Sequence, residues 1–149
     1  LIARQISNPR DEYFTRFSQQ MREHPGAASN GNAASAPASK AQTKEEEALT
    51  ERFYLSQCVK DETMAESIAD AYTATSATQP LIVHFNGAFH SDYRLGTAAR
   101  VRQRLPKSKV KVISVIPVEN LDAITPDEHR KRADYVLYTL QPAKKDKRN

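Results

Sequence analysis

The 149-residue sequence predicts an α/β protein in which a parallel sheet with crossover helices follows a long N-terminal helix. Three apolar runs of strand length lie at residues 81–86, 110–116 and 135–140, and the stretches between them have helical periodicity. The first run, within PLIVHF, is apolar at consecutive positions, which is typical of a strand covered on both faces. Because strands alternate with helices along the chain, we expect parallel pairing through right-handed crossovers.

The stretch between the first two runs, SDYRLGTAARVRQRLP, predicts the first crossover helix. One face carries four apolar residues at helical spacing: Leu95, Ala98, Val101 and Leu105. Arg100 and Arg104 are expected to point away from this face, and Pro106 follows the end of the helix. The second crossover, TPDEHRKRA, begins with Thr125 and Pro126, which are typical of an N-cap and the first helical position.

The remaining sequence divides the chain into segments of different character. Four segments are predicted: 1–26, a helical segment; 27–43, a flexible linker or insertion; 44–142, the α/β region; and 143–149, a basic tail. Within the first segment, apolar residues at helical spacing predict an amphipathic helix over 11–24. The second segment consists mainly of Ala, Ser, Asn, Gly and Lys, and it has no apolar period that could form a core.

A long helix is predicted from residue 44 to about residue 75, because this stretch lacks Pro and Gly and opens with three glutamates. Residues three or four apart form one stripe, which Gln57 and Met64 flank: Tyr54, Cys58, Asp61, Ala65, Ile68 and Tyr72. A carboxylate on such a stripe is unfavourable unless it is hydrogen-bonded, paired or bound to a cation. Asp61 therefore either serves a site or is a solvated or locally satisfied aspartate.

Composition limits the function classes. The single cysteine excludes an intramolecular disulfide and a cysteine zinc cluster, and no apolar run reaches the length of a membrane-spanning helix. The net charge of +4 permits anionic partners, and RLGTAARVRQRLPKSKVK carries seven cations. No aromatic side chains are interleaved there for base stacking, so binding to nucleic acid or an anionic surface ranks last. The first residue is Leu1 and not Met, so we expect a preceding half.

Chemically capable residues gather where the first predicted strand ends. Ligands of open parallel sheets bind beyond the carboxyl ends of the strands, and the segment from Gly87 to Tyr93 has that position. Gly87 allows a sharp turn, after which His90 and Tyr93 follow. His90 is either a ligand or a loop histidine without function, whereas His84 is interpreted as a core histidine. Tyr93 is either a phenol ligand or a half-buried packing residue.

Three segments together resemble a known family: SQCVKDETMAESIADAY, PLIVHFNGAFHSDYRLGTAARVRQRLP and VKVISVIPV. They are similar to the C-terminal half of the ChaN-like haem-binding uptake proteins, within the Tiki and TraB superfamily. The resemblance covers most of residues 50–140, and the sequence GAFH from Gly87 to His90 matches the Gly-x-x-His pattern of that superfamily. Members carry two such motifs. This chain has only the second, so we expect the other half to come from a preceding N-terminal half or from a second chain, as in a homodimer.

The resemblance implies a haem-binding protein of the cell envelope, either a membrane-attached lipoprotein or a periplasmic protein. Tyr or His coordinates the iron in such proteins. Carried over to this chain, the expected haem site consists of His90 and Tyr93 as iron ligands, with Gly87, Asp61, Gln57 and Met64 beside them and Arg94 or Arg100 facing the propionates. The alternative is a metal-dependent peptide hydrolase of the Tiki type, in which a divalent metal ion activates water. Haem binding without catalysis ranks first.

Overall fold

A computed structural model of the protein describes residues 2–23, 43–76, 78 and 80–141. The chain forms two compact units, Leu1–Ile82 and Val83–Asn149. The predicted linker, apart from its last residue, and the predicted basic tail lie outside the described residues. None of the helices formed by the described residues is both long enough and apolar enough to span a bilayer.

The described residues of the first unit form two α-helices, α1 (Glu12–Glu23) and α2 (Lys44–Ala74), which confirms both N-terminal helix predictions. The helix α2 begins with a capping box, in which the amide of Glu46 donates to the Thr43 hydroxyl and the amide of Thr43 donates to the Glu46 carboxylate. Two amides that have no partner within the helix are thereby satisfied. This local pattern explains why the helix begins at residue 44.

An aromatic cluster joins α1 to α2. The ring of Tyr54 in α2 lies 5.8 Å from Tyr13, 4.9 Å from Phe14 and 5.5 Å from Phe17, measured between centroids, in edge or tilted geometry. Tyr13, Phe17 and Tyr54 are buried. Edge-to-face pairs of this kind add to the free energy gained from burying apolar surface, so the cluster fixes where the short helix packs on the long one.

The segment 2–11 lies along α2 and is held by its side chains. The amide and hydroxyl of Ser7 both donate to the Glu62 carboxylate, and the amide of Arg4 donates to Glu66 at 3.1 Å. Carboxylates of the helix thus accept the backbone donors that an extended segment without a strand partner would otherwise leave unmet.

The residues of the second unit that the structure describes form two strands, β1 (Ile113–Val118) and β2 (Tyr135–Leu140), which pair in parallel with Ile113 opposite Tyr135 and Val118 opposite Leu140. Its other elements are two α-helices, α3 (Gly96–Arg104) and α4 (Pro126–His129), and three short 3₁₀ helices, Ala88–His90, Asp92–Arg94 and Leu121–Ala123. The mixed α/β class, the parallel pairing and the bounds of β2 are confirmed. The strand predicted at 110–116 forms three residues later at its start and two later at its end.

A small core lies between α3 and the sheet. Ala98 of α3 packs with Val112 and Ala133, and Val136 of β2 completes the cluster. The opposite face of the sheet is exposed and apolar, and its side chains come from alternate positions of both strands: Ile113, Val115, Tyr135 and Leu137. Only one face of this sheet is therefore buried by the described part of the chain.

The prediction of a strand at residues 81–86 is wrong. This run has no strand conformation and lies exposed, with Leu81 at 86% and Phe85 at 90% of full exposure. Strand propensity measures how well a side chain fits a pleated, partly buried surface, and a strand exists only where a neighbour accepts its hydrogen bonds. The apolar pattern at 81–86 indicated burial on both faces, which the described residues do not provide.

The prediction that Arg100 points away from the core side of its helix is also wrong. Arg100 is 4% exposed, and its Nη1 donates to the carbonyl oxygen of Gly96 at 3.2 Å. Thr97, one turn earlier, is buried as well. The buried face of α3 is therefore wider than the apolar stripe, and the methylene groups of an arginine can extend along such a face while its head group finds an oxygen acceptor.

Candidate functional site

The segment with the Gly-x-x-His motif forms a compact turn in the second unit. The amide of His90 donates to the carbonyl oxygen of Gly87 at 2.9 Å, which begins the 3₁₀ helix Ala88–His90. Ser91 follows, and its hydroxyl donates to the Asn86 side chain at 3.1 Å. His90 is half-buried on this turn. A short helix tied back to the preceding residues fixes the backbone from which the imidazole projects.

The left-handed backbone of this segment lies at Tyr93 and Arg94, and the turn that begins at Gly87 does not use the conformational freedom of glycine. Gly87 has φ −65°, which any residue adopts, and a Cβ placed there would lie 3.9 Å from His90 Cδ2. Tyr93 has φ 58° and Arg94 has φ 63°, both in the left-handed region. This conformation costs an L residue about 1–2 kcal/mol, and two consecutive residues adopt it here.

Contacts with the segment 131–134 hold this bend in place. The amide of Tyr93 donates to the carbonyl oxygen of Arg132 at 2.6 Å. The Arg94 guanidinium donates to the carbonyl oxygens of Ala133 at 2.8 Å and Lys131 at 3.2 Å. These three hydrogen bonds connect residues almost forty positions apart in sequence. They compensate for the energetic cost of the left-handed backbone, which persists only where surrounding contacts hold it.

Two carboxylates anchor the same pair of segments. The Asp92 carboxylate accepts a hydrogen bond from Arg132 Nε at Oδ2, while its Oδ1 is buried and has no hydrogen-bond partner among the described residues. Asp134 accepts the amide of Val112 at 2.9 Å and lies near Lys111 and Arg94. The hydrogen bond from the Val112 amide is the main cause that lowers the pKa of Asp134.

His90 and Tyr93 are the two predicted iron ligands, and the structure places both on this turn, three residues apart and half-buried. A side chain in this state is partly accessible to a ligand while its backbone is fixed. The sequence did not predict the anchoring pair Asp92 and Arg132. Arg132 stands in a basic run that is typical of a solvated face, and no local pattern pairs it with a carboxylate forty residues earlier.

Asp61 lies in the first unit and is locally satisfied. It is completely buried, and its Oδ2 accepts a hydrogen bond of 2.6 Å from the Tyr13 hydroxyl, which in turn accepts one of 3.1 Å from Gln57 Nε2. Of the two interpretations of this aspartate, the structure therefore supports the second, a hydrogen bond within the helix pair. Met64 is half-buried on the same helix. A position for these residues beside His90 stays a prediction.

The side chains available as metal ligands limit which kinds of metal site the turn can form. Among residues 2–23, 43–76, 78 and 80–141, no three side chains of His, Cys, Asp or Glu come together as a metal cluster. Haem needs less from the protein, because the porphyrin supplies four nitrogen ligands and one axial Tyr or His can suffice. The phenol of Tyr93 and the imidazole of His90 are both groups of this type.

The family model for haem-binding uptake proteins of the Tiki superfamily, ChaN, matches residues 2–101. The match includes α1, α2 and the complete turn from Gly87 to Tyr93, and it ends within α3. No curated protein and no solved structure matches the chain.

Proposed function

The chain belongs to the haem-binding uptake family ChaN of the Tiki superfamily, and we propose that it binds haem at the turn formed by Gly87, His90 and Tyr93. The family match covers 100 of the 149 residues, from 2 to 101, and it includes this turn. Tyr93 would hold the haem iron through its phenol oxygen, and His90 would contact the iron beside it.

The observation that supports this proposal most directly is the backbone at Tyr93. Non-glycine residues in the left-handed region are uncommon, and they cluster at ligand sites, where a required side-chain position justifies the strain. Tyr93 and Arg94 both adopt it, although a glycine at either position would avoid the strain. The chain thus keeps a phenol at a position where backbone energetics alone would favour glycine.

The arrangement also assigns Arg94 a different role from the propionate contact predicted for it. Its guanidinium donates to two backbone carbonyls and lies 3.5 Å from Asp134, so it holds the bend that presents Tyr93. Arg100, within α3, is buried. When bound, haem would supply the iron and its redox or transport chemistry, and the residues of the turn would orient the axial phenol.

Titration of the protein with ferric haem tests the proposal. The parent protein is expected to bind haem with a shifted Soret band, and Tyr93→Phe is expected to weaken binding about tenfold or more, because it removes the ligand oxygen and leaves the ring. His90→Ala is expected to change the position of the Soret band relative to that of the parent protein with bound haem. Gly87→Ala is a useful third variant, since its Cβ has room beside His90 and reduced binding would show that haem approaches this backbone.

The matched control is Tyr135→Phe, which removes a phenol oxygen from the exposed sheet face. This variant reports whether the loss of an exposed phenol outside the proposed turn changes the signal, and its haem affinity and Soret band should equal those of the parent. Unchanged haem affinity and an unchanged Soret band in both Tyr93→Phe and His90→Ala would refute the proposed site. Absence of a Soret shift in the parent protein would refute haem binding itself.

A further inference from the structure

A second tyrosine and histidine lie together in the second unit, away from the Gly-x-x-His turn in sequence. The Nδ1 atom of His129 is 3.1 Å from the hydroxyl oxygen of Tyr138, and their rings are 5.7 Å apart at an angle of 55°. Both residues are half-buried. They lie beyond the region that the family model matches, so the family match assigns them no role.

The fold holds this pair in a defined geometry. Tyr138 stands opposite Ile116 in the parallel register, on the same sheet face as Val136 of the core. His129 ends α4, and the amide of Arg132 donates to its carbonyl oxygen at 2.9 Å. The segment that follows His129 is the one fixed to the turn at Tyr93, so a rigid strand and an anchored loop position the two rings.

The hydrogen bond gives the pair a specific chemistry. With its proton on Nε2, the imidazole of His129 accepts the phenol proton at Nδ1, which leaves the lone pairs of the Tyr138 oxygen available. When that oxygen binds a ferric ion, the proton passes to Nδ1 and the imidazolium stays hydrogen-bonded to the phenolate. A ligand supported in this way by a second residue binds metal more strongly than the same ligand alone.

The surroundings of the pair fit a planar apolar ligand with acidic groups. Leu140, two residues after Tyr138 and therefore on the same side of β2, is exposed, and so is Leu121 in the short helix that lies against β2. Lys131, two residues after His129, is an exposed cation, and Arg130 next to His129 forms an exposed ion pair with Asp127. Apolar side chains would contact a porphyrin ring, and cations would pair with carboxylates or with an anionic chelate.

From these observations we infer that Tyr138 and His129 form a second ferric iron site, in which the Tyr138 phenolate is the ligand and His129 its proton acceptor. The iron is presented either within haem or as a small anionic chelate, because both offer iron(III) to a hard oxygen ligand. The choice of iron rests on the proposed haem function, whereas the geometry of the pair does not depend on it.

The test uses the full chain carrying Tyr93→Phe, which removes the phenol of the first proposed site and serves as the parent here, and two probes, ferric haem and ferric nitrilotriacetate. All further variants are made in this background. A bound phenolate gives a visible phenolate-to-iron charge-transfer band and resonance-enhanced tyrosine vibrations. We expect both signals with at least one probe, loss of both in Tyr138→Phe, and affinity lower by about tenfold in His129→Ala. His129→Gln keeps an acceptor for the phenol and is expected to recover part of that loss.

Tyr135→Phe serves again as the matched control, since it removes a phenol from the same strand on the opposite face, and its signals should equal those of the parent. A signal with haem alone identifies a haem site, and a signal with the chelate identifies a site for small iron complexes. Persistence of the signals in Tyr138→Phe, or their absence with both probes, overturns the inference. The proposed function is tested separately by Tyr93→Phe, so either site can fail while the other stands.

Discussion

The amide of Tyr93 donates a hydrogen bond of 2.6 Å to the carbonyl oxygen of Arg132, and the Arg132 side chain donates to the carboxylate of Asp92, the residue before Tyr93. Backbone and side chain of one arginine thus hold two neighbouring residues of the turn. The site proposed for haem therefore depends on a segment that lies outside the region matched by the family model. Four consequences for stability and one for proteolysis can be measured.

Arg132→Ala is expected to lower the free energy of unfolding by about 2–3 kcal/mol, because the Asp92 carboxylate is 93% buried and loses a charged donor. Chemical denaturation measures the change. The control is Arg130→Ala, whose exposed pair with Asp127 is expected to contribute less than about 1 kcal/mol. Equal losses in the two variants would contradict the anchoring role of Arg132.

Substitution at Tyr93 measures the backbone strain. Tyr93→Gly is expected to be more stable than Tyr93→Ala by about 1 kcal/mol, since only glycine tolerates φ 58° without steric conflict. At Ala99, inside α3, alanine is expected to be more stable than glycine, and Ala99→Gly is expected to lower the free energy of unfolding by about 1 kcal/mol. Thermal or denaturant unfolding of the three variants decides this, and an alanine as stable as glycine at position 93 would show that the bend is unstrained.

Tyr13→Phe removes a hydrogen bond to the fully buried carboxylate of Asp61. We expect a loss of about 2–3 kcal/mol in the free energy of unfolding, because hydrogen bonds to buried charged groups contribute more than neutral ones. Tyr54→Phe is the matched comparison, since its hydroxyl donates to the backbone oxygen of Pro9 and its loss should cost about 1 kcal/mol. A smaller effect at Tyr13 than at Tyr54 would contradict the larger contribution expected from the hydrogen bond to Asp61.

Asp134 makes the stability of the second unit sensitive to acid. Its pKa is lowered from the ordinary value of 3.8, chiefly by the hydrogen bond from the Val112 amide. A lowered pKa in the folded state stabilises the protein above the unfolded-state pKa, and the stabilisation is lost as the pH falls through the folded-state pKa.

The stability advantage of the parent over Asp134→Asn should therefore be full at about pH 6 and shrink below about pH 4. Denaturation at a series of pH values measures this difference. Asp127→Asn, which alters an exposed ion pair, controls for general charge effects. A difference between parent and Asp134→Asn that stays constant over the whole range would exclude a contribution from ionised Asp134.

Periodicity predicted much of this fold because it reports local geometry. It identified α1, α2 and β2 and the parallel pairing, and it placed Asp61 on the stripe that becomes buried. It could not identify Tyr13 as the partner of Asp61, because 48 residues separate them and no local pattern connects them. The prediction of a strand at 81–86 was wrong for a related reason. An apolar run indicates strand propensity but does not show whether a neighbouring strand is present to pair with it.

The ligand role of the site residues stays a prediction. The Gly-x-x-His pattern drew attention to one turn, and His90 and Tyr93 both lie half-buried on it. The bend was expected at Gly87 because glycine is the residue that best tolerates unusual backbone angles. It occurs at Tyr93 because hydrogen bonds from Tyr93 and Arg94 to the carbonyl oxygens of Arg132 and Ala133 outweigh the local preference, and contacts between distant segments leave no signature in a single sequence.

The exposed run before the turn has a consequence for how proteases act on this chain. Phe85 is 90% exposed in a stretch without strand or helix, and proteases bind their substrates as extended segments that such a stretch can supply. Chymotrypsin, which cuts after aromatic residues, is therefore expected to cleave after Phe85 before it cleaves after the buried Tyr54 or Phe17. Mass spectrometry of a brief digest would identify this cut. Both segments that form the Tyr93 bend would then remain on one fragment, which begins at Asn86.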